Sequence, residues 1–196
     1  MLKEFTTIIK QDGIANYFGR ILNSDENESL FNQLYENINW ENEVGIMFGK
    51  EFTTKRKVAF YADFATEYTY SNKTKKGTAW SPELIQLKTL VESYTNTNYN
   101  ACLLNLYHNG DEGMGWHSDD EKEIVPESSI ASLSLGTTRN FSFKHKVTKE
   151  KIDWQLEGGS LLEMKGPIQK NWWHALTKSK KIIQPRINLT FRQMNK

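Results

Sequence analysis

The sequence predicts an α+β fold that is mostly β, a sandwich or jelly roll with supporting helices in its N-terminal half. Short strand-like runs follow one another from Tyr99 to the end, punctuated by Asn109-Gly110, Gly136, Gly158-Gly159 and Gly166-Pro167. Such spacing suits antiparallel sheets rather than βαβ units. Both stretches with helical periodicity lie before residue 98.

Taken in order, residues 1–23 mix short apolar pairs (Ile8-Ile9, Tyr17-Phe18) with turn signals at Asp12-Gly13 and Phe18-Gly19, which predicts two short strands. Ser24 reads as an N-cap, with Asp25 and Glu26 near the positive end of the helix dipole. Leu30, Phe31, Leu34, Tyr35 and Ile38 follow at helical spacing, so an amphipathic helix should run to about Asn39. From Val44 to Ser71 the pattern is strand-like, with alternation at Lys57–Tyr61 and around Tyr68 and Tyr70. Ser81-Pro82-Glu83 starts a second helix, and Leu84, Leu87, Leu90, Val91 and Tyr94 form its buried stripe. The strands expected after it are Ala101–Tyr107, Gly115–Ser118, Ser129–Leu135, Asn140–His145, Lys151–Leu156, Ser160–Met164, Trp172–Ala175 and Arg186–Arg192.

With 196 residues the chain suits one domain with a sizeable core. Its net charge of +1 excludes a generically basic nucleic-acid coat protein, so any such footprint must be local. The single Cys102, in an apolar run, excludes an intrachain disulfide and points to a reducing compartment. Neither an apolar leader core nor a bilayer-length apolar run is found. The expectation is a soluble, intracellular protein without a membrane partner, cytoplasmic, or nuclear in a eukaryote.

The chemistry centres on Met114–Glu121, His174 and the closing run Arg186–Arg192. His117 and Asp119, two apart, can share one face of a strand and take adjacent positions on a metal, with His174 as a third ligand. Two imidazoles and one carboxylate on one side of a metal leave the other side open, as non-haem Fe(II) oxygenases require. Zinc is the inorganic alternative. In the closing run Arg186, Asn188, Thr190 and Arg192 alternate with Ile187, Leu189 and Phe191. Two guanidiniums, an amide and a hydroxyl on one face can hold carboxylates, so a small diacid with one end on the metal would be 2-oxoglutarate. Zinc would leave that face unexplained. His108, in a turn, and His145, between lysines, are expected at the surface.

In this setting the chain resembles the AlkB-like Fe(II)/2-oxoglutarate dioxygenases that repair alkylated bases, most narrowly the DNA-acting subgroup. The resemblance runs from about Phe48 to Arg192. It is carried by Tyr68-Thr69-Tyr70-Ser71, Leu104-Asn105-Leu106-Tyr107, His117-Ser118-Asp119-Asp120-Glu121, Ile130–Gly136 and Arg186–Arg192. It implies a double-stranded β-helix, with residues 1–98 as scaffold and nucleotide-recognition region and 99–196 as catalytic core. It implies Fe(II) on His117, Asp119 and His174, and 2-oxoglutarate on Arg186 and Arg192 with Asn105, Tyr107, Asn188 and Thr190 beside it. O2 is the second co-substrate. A flipped base would be held by Tyr68, Tyr70, Asp120 and Glu121. Arg56 and a wedge at Phe48 would act on the duplex, with an ordinary buried Phe at a hairpin end as the other reading of Phe48. Apart from the resemblance, Lys144, Lys149, Lys151, Lys180 and Lys181 are candidates for phosphate contacts, with simple solvation as the alternative for each. Lys55 stands before Arg56 where relatives often have Pro, which leaves that loop's geometry open. The activity implied is oxidative demethylation of 1-methyladenine and 3-methylcytosine type lesions by a monomer, with DNA as partner and RNA as a further candidate. Two other classes stay open: a 2-oxoglutarate hydroxylase of protein or small molecules, which would not need the tyrosines and lysines, and a silent nucleic-acid-binding module, which would not need all three ligands.

Overall fold

The computed structural model describes residues 3–47, 50–63, 67–70 and 73–195, of which 45–47, 50–52, 67–70 and 73–76 are described by their backbone alone. Two strands, β1 (Thr6–Ile9) and β2 (Ile14–Arg20), lead into α1 (Ser24–Asn37). The α1 N-cap is Asn23, not Ser24. Its side chain accepts from the Glu26 amide while the Glu26 carboxylate accepts from the Asn23 amide, a reciprocal capping box that makes Ser24 the first helical residue. Next come β3 (Glu41–Met47), β4 (Lys50–Ala62), β5 (Glu67–Tyr70) and β6 (Lys73–Lys76). Helix α2 (Pro82–Thr95) is capped by Ser81 and ended by Asn96 in the left-handed region at φ 51°.

The remaining strands are β7 (Ala101–Tyr107), β8 (Met114–His117), β9 (Ile130–Gly136), β10 (Arg139–His145), β11 (Lys151–Leu156), β12 (Ser160–Lys165), β13 (Trp172–Leu176) and β14 (Arg186–Arg192), with the single-turn α3 (Ile168–Asn171) before β13. Each expected strand is present within two residues of its predicted ends. The major sheet is eight-stranded, ordered β1-β2-β12-β9-β14-β7-β4-β3, so the N-terminal strands extend the catalytic sheet on both edges. The minor sheet is β11-β10-β13-β8, and β5 pairs with β6 alone.

Alternation sorts the side chains into two cores. On β14, Ile187, Leu189 and Phe191 pack with Leu34, Leu84, Leu87 and Val91 of the helices. Each such fully buried side chain contributes about 1.5–3 kcal/mol. The opposite face of the major sheet, with Val58, Phe60, Leu103 and Leu162, closes on Phe141, Phe143, Trp172 and Leu176 of the minor sheet. Cys102 is fully buried on the helix side. Among the described residues, no helix is long and apolar enough to cross a membrane.

Candidate active site

The polar row of β14 points into the space between the sheets, and every residue of the strand is buried. Directly across that space, β8 and β13 pair with His117 opposite His174 in register, which brings the rings to 4.2 Å. Ser118 donates to the Trp172 carbonyl at 3.0 Å, and the Asp119 amide donates to Gln169 Oε1 at 2.9 Å. These bonds turn the chain after β8 so that Asp119 Oδ1 lies 3.7 Å from Nε2 of each histidine. One ligand atom from each residue falls within 4.8 Å of the others, the spread a single metal ion can bridge.

Each ligand is also held from behind. The Nδ1 of His117 lies 2.8 Å from the Gly115 carbonyl, a bond that places the proton on Nδ1 and leaves Nε2 bare toward the site. Phe141 stacks on His174 at 5.4 Å. Burial, then the nearby His117, push the His174 pKa down to about 3, so the ring is neutral and fit to bind a metal. Burial opposes ionisation of Asp119, but Arg192, donating to its Oδ2 at 2.8 Å, and the two histidines outweigh it. They hold its carboxyl well below the usual range.

The same cavity is lined by Asn105, Tyr107, Arg186, Asn188, Thr190 and Arg192, so it gathers every residue predicted to hold metal or diacid. Arg192 sits at the metal end, on Asp119. Arg186 sits at the other end, 2% exposed, and donates to Ser134 Oγ at 2.9 Å and Asn188 Oδ1 at 2.7 Å. Its Nε is buried without a partner, and no carboxylate lies within ion-pair distance among the described residues. Burial lowers its pKa to about 10. A buried cation that lines the cavity with an idle donor is chemically suited to accept an anion, which fits a diacid.

Other predicted residues fall elsewhere. Arg56 does not reach outward to a substrate. It is buried, paired with Glu43, and donates to Asn105 Oδ1, because β4 runs beside β7 with Val58 opposite Asn105. His145 is buried, not exposed. It shares the inward parity of Phe141 and Phe143, accepts at Nδ1 from the amides of Val147 and Thr148, and faces Asp12 at 3.3 Å. His108 is half-buried against Glu112 at 3.0 Å. Asp120 is exposed and Glu121 half-buried, and both line an adjoining cavity of about 370 Å³ that shares Asp119 with the first. Lys149, Lys151, Lys180 and Lys181 are exposed, and Lys144 is half-buried. Tyr68 and Tyr70 lie on β5, where only the backbone is described, and Phe48 lies outside the described residues. Sequence reading missed Ser134 and Arg139, although Arg139 begins a strand on its inward parity.

Residues 15–192 match the model of the 2OG-Fe(II) oxygenase superfamily. The chain belongs to that superfamily. Within it, the chain is similar to the DNA oxidative demethylase ALKBH2 of Homo sapiens, 33% identical over 95% of this chain and 76% of that one. It is similar also to the alpha-ketoglutarate-dependent dioxygenase alkB homolog 3 of Bos taurus, 36% identical over 85% of this chain and 61% of that one. The solved structure of OsALKBH1 superposes with a TM-score of 0.68 over 97% of this chain and 100% of that one, at 14% identity, and shares the fold. This AlkB-like 2OG-Fe(II) oxygenase is therefore an Fe(II)- and 2-oxoglutarate-dependent dioxygenase that consumes O2. Its His117-Asp119-His174 group fits the iron, and the idle Nε of Arg186 fits the diacid.

Proposed function

We propose that this oxygenase is a DNA oxidative demethylase that removes N-alkyl groups from bases of the 1-methyladenine and 3-methylcytosine type. The observation that carries the reading is the likeness to a relative named for that activity over 95% of the chain, with a complete ligand trio and diacid seat in one cavity. Iron, 2-oxoglutarate and O2 would supply the oxidation, which leaves succinate, CO2, formaldehyde and the restored base.

The chain's part is placement. His117, Asp119 and His174 would hold the metal, and Arg192 keeps Asp119 ionised and aimed. Arg186 seats the distal carboxylate of 2-oxoglutarate, with Tyr107, Asn105, Asn188 and Thr190 lining the walls. Arg56 serves this seat by fixing Asn105. Asp120 and Glu121 border the adjoining cavity beside Asp119 and suit a cationic methylated base, whose exocyclic amine they would accept from. Tyr68 and Tyr70 give that base a stacking surface, and the exposed lysines meet phosphates. Phe48, with Lys55 and Lys57 near it in sequence, fills the gap left in a duplex when the base is extruded. RNA would enter by the same route, and the enzyme acts as a monomer inside the cell.

The test is to incubate the protein with Fe(II), 2-oxoglutarate and methylated oligonucleotides as duplex DNA, single-stranded DNA and RNA, reading restored base and formaldehyde. Restoration on DNA is expected. Succinate release without restoration on any of them would redirect the search to protein or small-molecule substrates. Phe48→Ala should impair repair of duplex DNA and spare single strands. Equal activity on both would remove the wedge from the reading.

A further inference from the structure

Behind the diacid seat lies a second buried guanidinium that the reading above does not use. Arg139, at the start of β10, is 0% exposed. Its Nη1 donates to the Asn109 carbonyl at 3.2 Å, and its Nη2 to the carbonyls of Glu112 at 2.7 Å and Thr177 at 3.0 Å. It thus ties the β7–β8 loop to the end of β13, that is, to the chain on either side of the two metal-facing histidine strands. The fit there is close: a Cβ at Gly110 would collide with the Ser179 carbonyl.

The guanidinium carbon of Arg139 also lies 5.7 Å from the ring centre of Tyr107. Arg186 lies 5.7 Å and Arg56 5.9 Å from the same ring. Three cations therefore surround one aromatic ring, within cation–π range. Tyr107 and Arg186 line the cavity, whereas Arg139 lies behind Tyr107 and does not. A side chain that costs this much desolvation needs compensation close by. Arg139 binds three carbonyls, has the buried Glu112 carboxylate within electrostatic reach, and lies against Tyr107.

We propose that Arg139 is a positioning residue for the co-substrate: it fixes the Tyr107 ring beside Arg186 and so sets the preference for a dicarboxylate over a monocarboxylate 2-oxoacid. The inference rests on the proposed seat at Arg186. The probes are 2-oxoglutarate and 2-oxopentanoate, which carries a methyl group in place of the distal carboxylate. Their affinities are measured by calorimetry on the full chain with Mn(II) in place of iron, so turnover plays no part. Arg139→Lys keeps the buried charge but not the planar fork, and Arg139→Gln removes the charge. Both should weaken 2-oxoglutarate about tenfold, the scale of losing a group behind a ligand. Both should leave 2-oxopentanoate nearly unchanged, and the loss should be non-additive with Tyr107→Phe.

A merely structural Arg139 would weaken both acids alike, and that result overturns the proposal. So does a folded Arg139→Lys with wild-type selectivity. If Arg139→Gln does not fold, Arg139→Lys decides; if neither folds, Arg139 is a folding residue and the proposal fails. Should Arg186→Ala bind 2-oxoglutarate as the wild type does, the seat itself is wrong. A large Arg186 effect with unchanged Arg139 variants refutes Arg139 alone.

Discussion

Two buried polar clusters sit on the major sheet, and they differ in one respect. The first joins Tyr99, Ser129, Glu163 and Asn16. Glu163 accepts from Ser129 at 2.9 Å and Asn16 at 3.1 Å and is neutralised by Lys165 at 2.9 Å, while Tyr99 bonds Ser129 at 2.9 Å. Its charge is balanced and these groups are engaged. The second, around Arg186, Asn188 and Thr190, has its amide and hydroxyl engaged but keeps a cation without a carboxylate and a donor without an acceptor. Burial of polar groups therefore does not distinguish scaffold from site. An unbalanced charge that opens onto the cavity does, because its desolvation is offset only when the ligand arrives.

The comparison breaks most visibly at the metal end. Asp119→Ala should bring Fe(II)-dependent succinate release to background, more than about a hundredfold down, since losing a ligand exceeds the 10–100-fold typical of its outer partners. Circular dichroism should show the fold retained. Near-wild-type turnover in a folded variant would remove Asp119 from the ligand set.

At the open cluster, Arg186→Ala should raise the 2-oxoglutarate requirement by the equivalent of about 2–5 kcal/mol, the loss of one member of a buried charged pair. The ligand-free protein should melt no earlier than wild type, because the residue removed is an uncompensated cation. An unchanged KM would place the diacid elsewhere.

The closed cluster should answer in the opposite way. Glu163→Ala strands the Asn16 amide, removes the partner of Lys165 and leaves Ser129 only its bond to Tyr99, and should cost on the order of 2–3 kcal/mol in urea unfolding. Affinity for 2-oxoglutarate should stay at the wild-type value. A variant that kept its stability but lost the co-substrate would erase the distinction between the clusters.

Both the fold and the open cluster were largely legible in the sequence, for a physical reason. Strand alternation is strict, so Arg186, Asn188, Thr190 and Arg192 had to share a face, and residue types able to hold carboxylates marked that face as more than solvated. The same alternation on β11 puts Lys151, Asp153 and Gln155 in water. Parity alone says which residues go together, and only residue type hints at where. His145 and Arg139 show the cost of neglecting parity. Each shares the inward side of β10 with Phe141 and Phe143, yet flanking lysines made His145 read as exposed, and Arg139 was passed over. Arg56 could not have been placed without knowing that β4 pairs with β7, a contact across 49 residues. Ser24 lost the N-cap to Asn23 because both are good caps, and only the reciprocal Glu26 bond decides between them.

The smallest effect tests the closed cluster through pH. Burial raises the Tyr99 pKa from 10.0 to about 12, more than its bond to Ser129 lowers it. The folded state thus holds a proton that the unfolded chain releases above pH 10. The stability that Tyr99 contributes is fully present below about pH 10 and is lost as pH rises toward 12, by about 2–3 kcal/mol in all. Tyr99→Phe lacks that titration but also lacks the Ser129 bond, which is worth about 1 kcal/mol. The wild type should therefore be the more stable of the two at neutral pH, and the order should reverse on approaching pH 12. Urea unfolding of both proteins at neutral pH and again between pH 10 and 12 reads the crossing directly. Parallel curves would mean that Tyr99 ionises as freely in the folded protein as in the unfolded chain, and the cluster would not be closed to water at all.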